Sequence, residues 1–282
     1  MNAVPSPRAL LASVAALSST VSATGILLPL YVYPSAQYND SAANWQPALD
    51  AMRASRSVTW LTVVNPDSGP GNLTLPPANG DINYQSGISQ LNAQPNVKTI
   101  GYVRTNYSVS PLSVLEANIT KYASWTGDLA VDGIFFDETN TSSVDYLTQA
   151  VSFARSAFGS SRPITTICNF GVVTPSAFYA SGLCDVNIVY EGYLNNGNDY
   201  YDGDATLNAN IPSGAGNAAK SAVVVHDFTG TNHEGVAATT ALLRSYVSEA
   251  ENYGLGWLFF CSAEYTSITT PPATIGALAA SF

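Results

Sequence analysis

Eight short, almost unbroken apolar runs punctuate the chain, at 26–33, 58–65, 97–105, 133–138, 164–169, 186–191, 222–227 and 256–262. Each closes on polar, Gly, Pro or Asn residues, and successive runs start between 22 and 39 residues apart. A strand with one wet face alternates apolar and polar positions; these runs do not. They are therefore expected to be strands buried on both faces, in a parallel sheet covered by helices. Helical spacing fills most of the intervals: Trp45, Ala48, Leu49 and Met52; Val144, Leu147, Val151, Ala154 and Phe158; Val236, Thr240, Leu243, Val247 and Ala250. Eight strand-then-helix units predict an α/β fold, a single (β/α)8 TIM-type barrel over residues 24–282. An open doubly wound sheet is the competing architecture, but no G-x-G-x-x-G follows the first run to support nucleotide binding.

Two connections break the rhythm. Residues 66–81 are rich in Pro and Gly, and residues 194–220 are rich in Asn, Gly, Asp and Tyr with no apolar period. Structureless stretches of that length usually bind something or are tolerated insertions. Both follow strands, which puts them at the end of a barrel where chemistry takes place. The tail at 273–282 is weakly apolar; it is short for a lipid-anchor signal and suits the last helix of the barrel.

Charge narrows the partners. The 282-residue chain carries 20 Asp and Glu against 10 Lys and Arg, a formal net charge of −10. Phosphate neutralisation needs clustered cations, so neither nucleic acid nor an anionic membrane is an expected partner. Residues 1–23 have the pattern of a signal peptide: Arg8, an apolar stretch at 9–17, and small residues at Val21-Ser22-Ala23. A transmembrane anchor is the alternative, for which the run is short. Sequons at Asn39, Asn72, Asn106, Asn118 and Asn140 suit a secreted or cell-wall-associated glycoprotein. Of the three cysteines, Cys168 and Cys184 close the shortest loop, leaving Cys261 as a buried thiol; three unpaired buried thiols are the alternative.

In a barrel, residues ending the strands share one depression. Here those are Tyr31, Tyr33, Asn65, Arg104, Asn106, Asp137, Glu138, Asn169, Glu191, Tyr193, His226, Asp227 and Glu264. Carboxylates placed directly after a run such as Ile134-Phe135-Phe136 lose hydration, so they need hydrogen bonds or a function. Asp132 and Asp185 instead precede their strands, where stabilising roles are expected. His226 and His233 form no H-E-x-x-H, and no G-x-S-x-G occurs. Neither a catalytic metal nor a cofactor is expected, nor a serine nucleophile. Paired carboxylates among Tyr and Asn suit glycoside hydrolysis, in which one protonates the leaving oxygen and another attacks or stabilises the sugar cation.

The first run with Gly25-Ile26-Leu27-Leu28-Pro29-Leu30-Tyr31-Val32-Tyr33-Pro34, then Val63-Val64-Asn65-Pro66, Gly101-Tyr102-Val103, Val131-Asp132-Gly133-Ile134-Phe135-Phe136-Asp137-Glu138 and Val189-Tyr190-Glu191-Gly192, resembles the spherulin-4-like proteins, classed as glycoside hydrolase family 135. The resemblance covers essentially all of the chain after residue 23. It implies a (β/α)8 barrel and hydrolysis of α-1,4-linked N-acetylgalactosamine in galactosaminogalactan, a fungal wall and biofilm polysaccharide. It places the family's acidic residues at Asp137, Glu138 and Glu191. The expected roles are Asp137 as nucleophile or cation stabiliser, Glu191 as general acid/base, and Glu138 as a neighbour that raises the pKa of Asp137, with Glu138 as nucleophile the alternative. Tyr31, Tyr33, Asn65, Arg104, Asn169, Tyr193, His226, Asp227 and Glu264 are expected to contact a polysaccharide, in a monomeric protein. A sugar-binding wall protein without activity is the alternative.

Overall fold

The computed structural model describes residues 24–263 and 272–282. Eight parallel strands close into a barrel in sequence order: β1 (Gly25–Leu30), β2 (Trp60–Val64), β3 (Val97–Arg104), β4 (Gly133–Asp137), β5 (Thr165–Asn169), β6 (Val186–Tyr193), β7 (Ser221–His226) and β8 (Trp257–Phe260). The ring shuts where Gly25 and Ile26 pair with Trp257 and Leu258. The strands are buried nearly throughout, as non-alternating runs require.

Around the barrel lie α1 (Gln46–Ala54), α2 (Ile82–Asn92), α3 (Leu112–Ala123), α4 (Val144–Phe158), α5 (Gly203–Asn210), α6 (Thr240–Tyr253) and α7 (Ile275–Ala279). Each long helix turns its apolar stripe inward. Leu147, Val151, Ala154 and Phe158 are buried on α4, and Leu243, Val247 and Ala250 on α6. Burying one Leu or Phe side chain contributes roughly 1.5–3 kcal/mol, so these stripes dock the helices. Among the described residues no helix is long and apolar enough to cross a membrane.

Three details differ from the sequence reading. Val236 is exposed in the loop before α6, because the helix begins only at Thr240. The 194–220 connection contains α5, which buries Gly203, Thr206 and Leu207; a face this small and polar leaves no apolar period to see. The β5–β6 connection has a 3₁₀ turn at Ser176–Tyr179 in place of an α-helix, as its short spacing demands. That connection is stapled, with the sulfurs of Cys168 and Cys184 bonded at 2.03 Å. Cys261 is buried and free, and burial pushes its thiol up to about 11. Residues 1–23 and Glu264 lie outside the described residues.

Candidate active site

The site begins with the way β4 leaves the barrel. Gly133 opens the strand against its neighbour: a Cβ there would lie 2.1 Å from the Thr165 carbonyl oxygen, so the strand approach needs glycine. Phe135 stacks on Tyr102 of β3, with ring centroids 5.9 Å apart. Asp137, two residues on, faces the same interior. Strict alternation would then turn Glu138 outward. Instead Glu138 takes a left-handed backbone, φ 52°, and both carboxylates line one cleft. Carbonyl oxygens at this bend accept from the next loop: Thr105 N–H donates to Asp137 O at 3.0 Å and Tyr107 N–H to Glu138 O at 2.6 Å. Arg104 Nε donates to Glu138 Oε2 at 2.8 Å, a half-exposed ion pair that holds the side chain over the mouth.

Glu191 arrives through a different irregularity. Ile188 pairs with Ala222 of β7, and Glu191 pairs with Val224. Ala222 and Val224 are two residues apart and share a face, so Ile188 and Glu191 share one as well. The extra residue is a bulge between Ile188 and Tyr190. Without it Glu191 would point away from the interior; bulges commonly re-aim a side chain beside a functional site. Beyond the bulge, Glu191 Oε1 is 3.2 Å from His226 Nε2, and the His226 ring tilts against Tyr193 at 5.8 Å.

Between these two carboxylates stands Asn169, the last residue of β5. Its Nδ2 donates to Asp137 Oδ1 at 2.8 Å and to Glu191 Oε2 at 2.9 Å. By the triangle inequality those two oxygens are no more than about 5.7 Å apart. Tyr102 Oη donates to the other oxygen of Asp137 at 2.7 Å. Asp137 is held above the usual carboxylate range, chiefly by burial and further by the charge of Glu191; the Tyr102 and Asn169 hydrogen bonds oppose that rise. The backbone N–H of Glu138 also donates to Asp137 and opposes the rise. Burial first, and then the Asp137 charge, keeps the Tyr102 phenol protonated.

The cleft above has a volume of about 340 Å³ and is lined by Tyr107, Asp137, Glu138, Thr139, Asn169, Phe170, Gly171 and Glu191. Gly171 has φ 65° and leaves the space over Glu191 open. A larger cavity of about 430 Å³ lies between the start of α5 and α6 and holds none of the strand-end carboxylates.

Of the residues read from strand ends, Asp137, Glu138, Glu191, Asn169, Arg104, His226 and Tyr193 converge on one network. Tyr31 joins it at one remove, edge-on to Tyr102 at 5.6 Å. Tyr33 and Asn65 are used elsewhere. The Tyr33 hydroxyl donates to Asp81 and accepts from Asn83, and Asn65 Oδ1 accepts from Gly69 N–H. Asp227 is exposed at a left-handed turn, φ 51°. Sequon residues Asn39, Asn72 and Asn106 are exposed, while Asn118 and Asn140 are half-buried. Strand-end reading missed Tyr102, which stands two residues inside β3 and reaches the mouth only by the length of its side chain. It also missed Tyr107 and Phe170, which belong to the loops.

Relatives are consistent with this architecture. Spherulin-4 of Physarum polycephalum is 33% identical over 136 residues, 48% of this chain and 36% of that protein, so the match spans little over a third of that relative's length. The crystal structure of Aspergillus clavatus Sph3 in complex with GalNAc matches with a TM-score of 0.71 at 25% identity, over 92% of this chain and 97% of that one. A GH5-4 broad specificity endoglucanase from Clostridium acetobutylicum shares the fold at 12% identity and a TM-score of 0.53, over 92% of this chain and 96% of its own. The family model for spherulation-specific family 4 (Spherulin4) matches residues 25–277, essentially the whole barrel, and the chain belongs to that family.

Proposed function

We propose that this protein is a secreted glycoside hydrolase that cleaves α-1,4-linked N-acetylgalactosamine within a galactosaminogalactan-type polymer, acting internally and with retention of configuration. One observation carries the reading: a single amide holds one oxygen of Asp137 and one oxygen of Glu191 within about 5.7 Å of each other. Retaining glycosidases keep their carboxyl groups about 5–5.5 Å apart, whereas inverting ones leave roughly 6.5–9.5 Å for a water. The likeness to Sph3, which was crystallised with GalNAc, supports the sugar class. The disulfide and the five sequons support an oxidising, extracellular destination.

In this mechanism Glu191 gives its proton to the glycosidic oxygen as the bond to C1 breaks. An oxygen of Asp137 forms a bond to C1, giving a glycosyl ester of inverted configuration. Water then loses a proton to Glu191 and attacks C1, breaking the ester and restoring both carboxyl groups. Tyr102 and Asn169 stabilise the anion of Asp137 before attack and after release. The test is incubation with defined α-1,4-galactosaminyl oligosaccharides, acetylated and deacetylated, followed by mass spectrometry of the products. Internal fragments from the acetylated series are expected. Binding of the sugar with no fragments would leave a sugar-binding protein.

A further inference from the structure

Asn169 is placed unlike an ordinary sugar contact. The residue is 8% exposed, and both protons of its amide are taken by carboxylates that stand on the strands to either side. The backbone is equally fixed: its carbonyl oxygen accepts from Thr139 N–H at 2.9 Å and from Thr139 Oγ1 at 2.6 Å, and the preceding residue, Cys168, is disulfide-bonded. The amide oxygen has no hydrogen-bond partner among the described residues. Flipping the amide would aim that oxygen at two carboxylates, so only one orientation is tenable.

We infer that Asn169 is a positioning residue that sets the spacing of Asp137 and Glu191 and assigns the mobile acid proton to Oε1 of Glu191. This rests on the glycosidase reading above. The chemistry of an amide suits the task. A Lys or Arg in the same place would hold both carboxylates but also lower both pKa values, leaving no acid protonated at working pH. A neutral donor fixes geometry and leaves the mutual repulsion of the pair in force, which is what pushes two carboxyl groups to titrate apart. Glu191 Oε2 is occupied by the N–H of Asn169, so a proton there would meet another donor. In the tautomer in which His226 Nε2 accepts, the proton is carried on Oε1, the oxygen beside it.

The experiment combines side-chain NMR with kinetics. In the wild-type protein, the two Nδ2 protons of Asn169 should resonate downfield and move with pH as the carboxylates titrate, a readout that needs no substrate and no variant. In Asn169→Ala, the carboxyl ¹³C titration of Asp137 should shift to higher pH because a donated hydrogen bond is lost. Its kcat should fall about 10²-fold, the cost of misplacing a reacting group by about 1 Å, with KM changed only a few-fold. Asn169 protons that ignore pH would overturn the inference. So would an Asn169→Ala enzyme with an unshifted Asp137 titration, or one whose loss lies entirely in KM. If the wild type cleaves no oligosaccharide while its Asn169 protons still titrate with the pair, the glycosidase reading fails and the clamp stands. If it cleaves while those protons are inert, the clamp alone fails.

Discussion

Ile188 and Glu191 face the same side of β6 although they stand three positions apart, because one extra residue bulges between Ile188 and Tyr190. The bulge turns a carboxylate that regular pleating would send outward into the mouth of the barrel. Deleting Val189 should therefore abolish activity while Glu191 is still present. The check is a double substitution: in the deletion background, Glu191→Gln should cost nothing further, whereas in the wild type it should cost about 10²–10⁴-fold. Independent losses in the deletion background would show that Glu191 does not act through that bulge.

Asp137 gives a pH signature with a definite sign. Its folded pKa is raised, chiefly by burial, so the fold favours its protonated form. That stability is present below the unfolded carboxylate value near 3.8 and is lost as pH rises through the raised folded value. Asp137→Asn does not titrate, so its melting temperature relative to wild type should climb as pH goes from 3.5 to 7. Activity needs the anion of Asp137, so the acidic limb of kcat/KM should lie above 3.8. A melting difference independent of pH would remove Asp137 from the titrating pair.

The bend at Glu138 predicts an inverted ranking of small residues. A side chain at φ 52° is strained by roughly 1–2 kcal/mol relative to glycine. Glu138→Gly should therefore be more stable than Glu138→Ala by about 1 kcal/mol, the reverse of the order expected in regular structure. Denaturant titration of the two variants settles it. Both should lose activity, since each lacks the carboxylate that pairs with Arg104.

The Cys168–Cys184 bridge closes a loop with a sequence separation of 16. A loop of that size gives a cross-link worth about 3 kcal/mol. The Cys168→Ser, Cys184→Ser double variant should melt correspondingly lower. Because Cys168 adjoins Asn169, its activity at a temperature where it remains folded should fall as well. Unchanged activity would place the bridge in stability alone.

The fold was largely legible because barrel strands, buried on both sides, announce themselves as apolar runs; each observed strand coincides with one to within a few residues. Asp137, Asn169 and His226 were legible because they end such runs, but the same position did not separate them from Tyr33, Asn65 and Asp227, which end runs too and lie outside the network. What the sequence hid was geometry that departs from period two: the β6 bulge, the left-handed Glu138, and the small polar face that docks α5. Asn169 was visible as a residue type at a strand end. That its amide would face two carboxylates depended on which neighbours the register placed beside it.

Asp137 and Glu191 are proposed to act as a closely spaced retaining pair. The most direct test is ¹H NMR of the first product released from a defined α-1,4-N-acetylgalactosamine oligosaccharide, read before mutarotation sets in. Retention requires the α-anomer first, with the β-anomer growing in only later. The β-anomer appearing first would contradict the retaining assignment, because inversion places a water between the two carboxyl groups.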